Sequence, residues 1–288
     1  MIKVVQCKMQ SQIFLKVKII YLLTTYIHFF SPLQRVLCKL LSPIIASSIF
    51  FVPISHATNI PKLTMMTEYL EPYNFEKNGV VKGISVDILV LMLDKVGSTQ
   101  NRDDIKIYPW MRAYTMVKEK NNTVLFSTVR TKQREKMFKW VGPIFNVKYN
   151  IYALKNKKIK ISKFEDLKNY KIGTLRGDIT EDLLVKYAGL QLSDLDRISS
   201  YLGNMKKLSA ERISLIAASK NTVMSMHNKA GLNYEDLEPV FILGNASTYY
   251  AFNKNTPDDL INLFQKAFDK LKDEGKIAEI FKQYGKKL

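Results

Sequence analysis

From Leu63 onward, short runs of strand character alternate with segments of helical spacing, and that alternation restricts the chain to a layered α/β architecture. Residues 63–66 read as a first strand, followed by a turn holding Pro72 and a hairpin at Lys77-Asn78-Gly79. Val86, Leu89, Leu93 and Val96 then share a helical face, with Ile84, Ile88 and Leu91 on the adjoining one, until Gly97 ends the helix. A strand over 105–108, a helix over 110–118 and a strand over 124–126 complete one small α/β lobe. An alternating apolar stretch, 149–154, opens a second set. It comprises strands at 171–175, 198–201 and 213–217, and helices at 178–187, 205–210 and 222–229. Residues 240–243 and 248–252 run extended and would return the chain to the first lobe. Two C-terminal helices follow. Thr256 is placed to cap the first, with Pro257 at its first position and Leu260, Phe264, Ala267 and Leu271 on one face. Gly275 separates it from the second, where Ile277, Ile280, Phe281 and Tyr284 line up.

The first 57 residues differ in kind. They hold no Asp or Glu, carry Lys3, Lys8, Lys16, Lys18, Arg35 and Lys39, and run apolar over 40–54 before Ser55-His56-Ala57. A basic stretch, an apolar stretch and a small-x-small site are the parts of a secretory leader, and cleavage is expected after Ala57. The apolar run is shorter than the about 20 residues a membrane span needs, and Pro43 and Pro53 interrupt it. Cys7 and Cys38 both fall in the leader, so the mature chain is expected to have no disulfide and no thiolate metal site. Of the 44 basic residues the leader takes six and of the 26 acidic ones none, which leaves the mature chain strongly basic. Its lysines are spread along the chain and flank apolar helical patterns, as on a solvated surface. With export as well, nucleic acid is not an expected partner.

The turn Thr131-Lys132-Gln133-Arg134 lies between an extended run and Phe138-Lys139-Trp140-Val141-Gly142-Pro143. An arginine in a short turn behind a strand presents a planar fork of donors suited to a carboxylate. Upstream stands Gly83-Ile84-Ser85-Val86-Asp87, downstream Gly173-Thr174-Leu175-Arg176-Gly177, and near the end Gly275-Lys276-Ile277-Ala278-Glu279-Ile280-Phe281. In that order and at these separations, over nearly everything after Ala57, the chain resembles the extracellular solute-binding proteins of family 3, the polar amino-acid receptors of bacterial import systems. The resemblance implies an α/β fold of the two-lobed, periplasmic-binding-protein type (type II). Lobe one would be 58–148 with 250–288 and lobe two 149–249, joined by two crossing hinge strands. It also implies a periplasmic monomer that closes on a small carboxylate-bearing ligand, an amino acid or analogue, and hands it to the membrane permease of an ABC importer.

The same resemblance assigns the ligand α-carboxylate to Arg134, helped by backbone N–H groups around Val129. It puts Glu68 and Tyr69 on the pocket wall and ligand contacts near Ile179, where a hydroxyl residue is usual. Tyr108-Pro109-Trp110-Met111-Arg112-Ala113 looks like a variant seen in one branch of the family, with Trp110 stacking on ligand or filling core, and Arg112 beside it. Arg130 either recognises a ligand side chain or faces water. Residues 173–178 form a strand–turn–helix junction whose free N–H groups either make an anion site or are capped by Asp178. Where the family commonly has an Asp for the ligand ammonium, this chain has Ser214, so either Asp178 or Glu68 replaces it or the solute is not an ordinary α-amino acid. No catalytic constellation emerges: His227 is the one histidine after the leader, no metal-binding spacing is present, and no cofactor is expected. An enzyme is therefore not expected. The alternatives on the same fold are a dehydratase-like enzyme with Glu68 or Asp178 as proton donor, and a free-standing sensor.

Overall fold

The computed structural model describes residues 60–287; the stretch expected to be a leader, with the expected cleavage after Ala57 and both cysteines, lies outside the described residues. The chain starts with β1 (Thr64–Thr67), whose Met65 and Met66 are fully buried. β2 (Phe75–Lys77) and β3 (Val80–Lys82) form the expected hairpin. Its two central residues, Asn78 and Gly79, both take positive φ, which Asn and Gly tolerate best. α1 (Ile84–Lys95) follows Gly83, at φ +126, where an added Cβ would come 2.3 Å from the Tyr73 carbonyl oxygen. β4 (Ile105–Ile107), α2 (Trp110–Glu119) and β5 (Thr123–Val129) complete a three-stranded parallel unit in which every residue of β5 is buried.

β6 (Phe138–Leu154) leads into β7 (Ile172–Leu175), α3 (Ile179–Ala188), β8 (Asp196–Ile198), α4 (Tyr201–Ser209), β9 (Leu215–Ser219) and α5 (Lys220–Met226). β10 (Leu237–Asn253) then returns to α6 (Asp258–Asp273) and α7 (Lys276–Gln283). The main sheet has the order β4-β1-β5-β10-β6-β9-β7-β8. Parallel strands occupy both ends, and the two 17-residue strands β6 and β10 run antiparallel through the middle, from Leu237 opposite Leu154 to Asn253 opposite Phe138. A strand averages about six residues, so strands of this length serve both halves at once. This is the two-lobed α/β plan with two crossing strands that the resemblance implies.

Several boundaries differ from the sequence reading, for local reasons. The extended runs at 240–243 and 248–252 are one strand, continuous through register shifts near Phe241, Gly244 and Tyr250. A bulge absorbs an extra residue without ending a strand, and between the shifts Asn245, Ala246 and Ser247 stay paired with Lys148, Val147 and Asn146 although the apolar pattern lapses there. The strand at 198–201 ends at Ile198, because the Ser200 hydroxyl accepts from the Gly203 N–H and starts α4 at Tyr201. Likewise Ser219 caps α5 through the Thr222 N–H, which moves β9 two residues later and α5 two earlier than expected. Thr256 does not cap α6: Pro257 holds the cap position, and the Thr256 hydroxyl is buried without a hydrogen-bond partner. The apolar faces are as expected, with Leu260, Phe264, Ala267 and Leu271 of α6 and Ile277, Ile280 and Phe281 of α7 buried. Among the described residues no helix is long and apolar enough to cross a membrane.

Candidate functional site

The parallel strands of each half point their carboxyl ends at one cavity, the position where open α/β sheets place ligands. Glu68 and Tyr69 follow β1, Ser127 and Val129 end β5, Asp178 follows β7, and Ser219 ends β9. Trp110, Arg134, Tyr149, Tyr201, Thr222 and Thr248 complete most of the wall. The enclosed free space is about 30 Å³, room for a water or two. Anything of amino-acid size needs the halves to part.

Arg134 is 4% exposed and sits where the two halves meet. Its own N–H donates to Thr131 O at 3.0 Å, so the turn read from sequence is closed by hydrogen bonds. Nη1 donates to Val129 O at 3.3 Å, and Nη2 reaches across to Gly177 O at 3.1 Å, with Asp182 Oδ2 at 3.6 Å. The guanidinium lies over the rings of Trp110 and Tyr114 at 5.6 and 5.3 Å. Trp110 is buried too, and its Nε1–H donates to the same Gly177 carbonyl at 3.0 Å. One backbone oxygen of the second half thus accepts from two side chains of the first. At φ +70, Gly177 is held where an added Cβ would come 2.6 Å from Met111 Sδ.

Asp178 caps α3, its Oδ1 accepting from the Thr180 N–H at 2.9 Å and the Thr180 hydroxyl at 2.8 Å. The neighbouring Gly177 N–H donates to Glu181 Oε2 at 2.8 Å, and Glu181 in turn accepts two bonds from Arg197. The protein's own carboxylates therefore fill the junction at 173–178, which resolves the sequence alternatives in favour of internal capping.

The cavity's acids are perturbed. Burial, then the nearby Asp178 carboxylate, push Glu68 up to about 8 against a partial offset from Arg134. Burial also raises Asp178, against the Thr180 bonds and Arg134, which hold it down. Tyr149 and Tyr201 are driven well above the usual phenol range, first by burial and then by the two carboxylates. Asn74 and Ser85 bond the hydroxyl of Ser127, a non-glycine residue at φ +59 where β5 bends into the cavity.

Of the residues singled out from sequence, Arg134, Trp110, Tyr69, Val129, Glu68 and Asp178 line this cavity together. Three do not. Arg112 is exposed, its guanidinium 4.5 Å from the Tyr108 ring, because the α2 face that holds Trp110 inward turns Arg112 outward. Arg130 is exposed and forms a two-pronged pair with Glu135 at 2.8 and 2.6 Å. Ile179 is buried at the start of α3 but lines a separate surface hollow with Thr131, Gln133 and Asp182. Ser214 is not on the cavity wall, and the residue that β9 contributes there is Ser219, at its other end. His227 spends Nδ1 on the Leu232 carbonyl at 3.1 Å. Sequence reading missed Leu70, Ser127, Val147, Tyr149, Tyr201, Ser219, Thr222 and Thr248. The alternation along β6 carried a signal for Val147 and Tyr149, since positions two apart share a face. Among the described residues no cluster of potential metal ligands occurs.

Two half-sheets sharing a pair of crossing strands, with a cavity at their strand ends, define a periplasmic-binding-protein-like receptor fold. The chain belongs to the bacterial extracellular solute-binding proteins, family 3, whose model matches residues 63–287. Among solved structures, a histidine kinase sensor domain with similarity to periplasmic binding proteins matches with TM-score 0.68 and 18% identity, over 77% of this chain and 95% of that one. An ancestral arginine-binding protein bound to arginine matches with TM-score 0.63 and 19% identity, over 77% and 97%. The arginine-, lysine-, histidine-binding protein ArtJ from the thermophilic bacterium Geobacillus stearothermophilus matches with TM-score 0.65 and 16% identity, over 79% and 97%. At these identities the likeness is one of fold. No curated protein matches the chain.

Proposed function

We propose that the protein is a periplasmic receptor, exported by a leader cleaved after Ala57, that captures an amino acid or related carboxylate-bearing solute and delivers it as a monomer to an ABC-type permease. The observation that carries this reading is the guanidinium of Arg134, enclosed between the halves and bonded to backbone carbonyls of both. On opening, it loses Gly177 O and can turn those donors to a ligand carboxylate. On closing, the ligand is shielded from water by Trp110, Tyr69 and Tyr149, where a charge-assisted pair is strongest. The units that move would be 58–148 with 250–288, against 149–249. Family membership and the amino-acid-binding neighbours support the solute class.

The test is a thermal-shift screen of the purified protein against amino acids, amines and dicarboxylates. A ligand at a hundredfold excess over its dissociation constant adds about 2.7 kcal/mol to stability, and Arg134→Ala should abolish the response. A hit unaffected by that change refutes the site.

A sensor role is the second reading, favoured by the histidine kinase sensor domain among the similar structures. Deleting the gene separates the two. Loss of solute uptake supports the importer; intact uptake with a lost transcriptional response supports the sensor. The dehydratase-like reading draws on Glu68, a carboxyl that keeps its proton near neutrality, and chemical conversion of the hit would favour it.

A further inference from the structure

The two halves also touch at a place other than Gly177. The turn that follows β1 supplies Glu68, Tyr69 and Leu70 to the cavity wall, and further along it Tyr73 stacks on Phe145 of β6, ring centroids 3.6 Å apart and planes within 7° of parallel. Backbone bonds hold the turn, with the Tyr73 N–H donating to Leu70 O at 2.8 Å and the Ser85 N–H to Tyr73 O at 2.9 Å. The direction of the phenol is therefore fixed. Its hydroxyl oxygen accepts from Asn221 Nδ2, which reaches across from the second half at 3.3 Å. Asn221 stands in the first turn of α5, between Ser219 and Thr222, and both of those line the cavity. Each partner is thus tied by backbone to wall residues of its own half. The same turn meets the second half again where Lys229 Nζ lies 5.1 Å from the Tyr69 ring. β9, which leads into α5, is paired with the crossing strand β6, whereas β7, which leads to Gly177, lies one strand further out. Contacts at the ends of two different strands fix a closing angle that one contact would leave free to rock.

We propose that Tyr73 and Asn221 form a closing latch, a pair of positioning residues outside the cavity that hold the halves together around the solute and set how long it stays. This deepens the solute-receptor reading and rests on it. The bond exists only while the halves are together, so release has to break it, and capture by the open form does not involve it. Its contribution belongs to the dissociation rate. A single neutral hydrogen bond of this length, only partly buried, falls in the lower part of the usual range, which amounts to about threefold in that rate. Neither residue lines the cavity, so the factor is the same for every solute the site accepts.

The experiment compares the purified protein with Tyr73→Phe, Asn221→Ala and the double variant, using L-arginine, L-lysine, L-histidine and L-glutamine as probes. Calorimetry gives the affinities, and stopped-flow tryptophan fluorescence, with Trp110 on the cavity wall, gives the two rates. Each single change should speed dissociation of every probe that binds by about threefold and leave association unchanged. The double variant should be no faster than either single one, because both remove the same bond. The urea midpoint of Tyr73→Phe should hold, since the ring stays stacked on Phe145. Should Asn221→Ala fail to fold, Tyr73→Phe decides alone. Unchanged dissociation in either single variant would overturn the proposal, as would effects that multiply in the double variant. A lower urea midpoint without faster dissociation would assign the pair to stability alone and overturn it too. All three results leave the receptor reading standing. Failure of all four probes to bind would overturn that reading, and the latch with it.

Discussion

Glu68 makes the stability of the ligand-free protein fall as pH rises, in a window set by its surroundings. In the unfolded chain a glutamate titrates near 4.5, whereas burial beside Asp178 lifts the folded carboxyl to about 8. Between those values the folded state holds a proton that the unfolded state has lost. Stability is thus fully present below about pH 4.5 and is lost as pH climbs through about 8. The slope for one group is about 1.4 kcal/mol per pH unit, so the whole interval amounts to at most about 5 kcal/mol. The measured loss will be smaller, because opening the cleft rehydrates the carboxylate and caps the penalty at the cost of opening. Asp178 and Asp182 are raised as well, chiefly by burial, and push in the same direction. Comparing the protein with Glu68→Gln cancels their share to first order. Urea unfolding of both at pH 5, 6, 7, 8 and 9 should show the stability advantage of the unaltered protein over the variant shrinking by on the order of 1 kcal/mol per pH unit, then levelling above pH 8. Parallel curves across that range would refute the assignment of a protonated Glu68.

Trp110→Phe keeps the packing but removes the indole donor to Gly177 O; it should weaken closure by about 1 kcal/mol, read as a roughly fivefold loss of affinity for the hit from the screen, with little change in unfolding midpoint. Gly83→Ala forces a Cβ to 2.3 Å from a backbone oxygen at φ +126; neither side of that contact can yield, and urea unfolding should show a loss of roughly 3 kcal/mol or more. Thr256→Val replaces a buried hydroxyl that has no partner; its unfolding free energy should be unchanged or raised by about 1 kcal/mol, and a clear loss would reveal a bond to that hydroxyl.

What the sequence determined by itself was set by interactions within a few residues. Helical spacing from Ile84 to Val96, the Asn78-Gly79 turn and the faces of the two C-terminal helices each follow from the periodicity or turn chemistry of their own segment. The same local logic erred where two local signals compete. Ser200 and Ser219 cap helices inside what reads as strand, and Thr-Pro at 256–257 looks like a cap and is not one. Membership of the receptor family was legible for a related reason, since its motifs are short and kept in order. The site was legible in part. Arg134, Trp110 and Glu68 fall in the segments that follow strands, but so do Arg112 and Arg130, and only the way β5, α2 and the following turn pack decides which side chains face inward.

The tertiary structure alone decided that Glu68 and Asp178 share one cavity with a single guanidinium, and that Gly177 O receives donors from Trp110 and Arg134. Those residues come from opposite halves and meet because β6 and β10 run the length of both. Their charges and protonation depend on how much water the closed halves exclude. Solvation is a property of the assembled surfaces, and no stretch of sequence carries it.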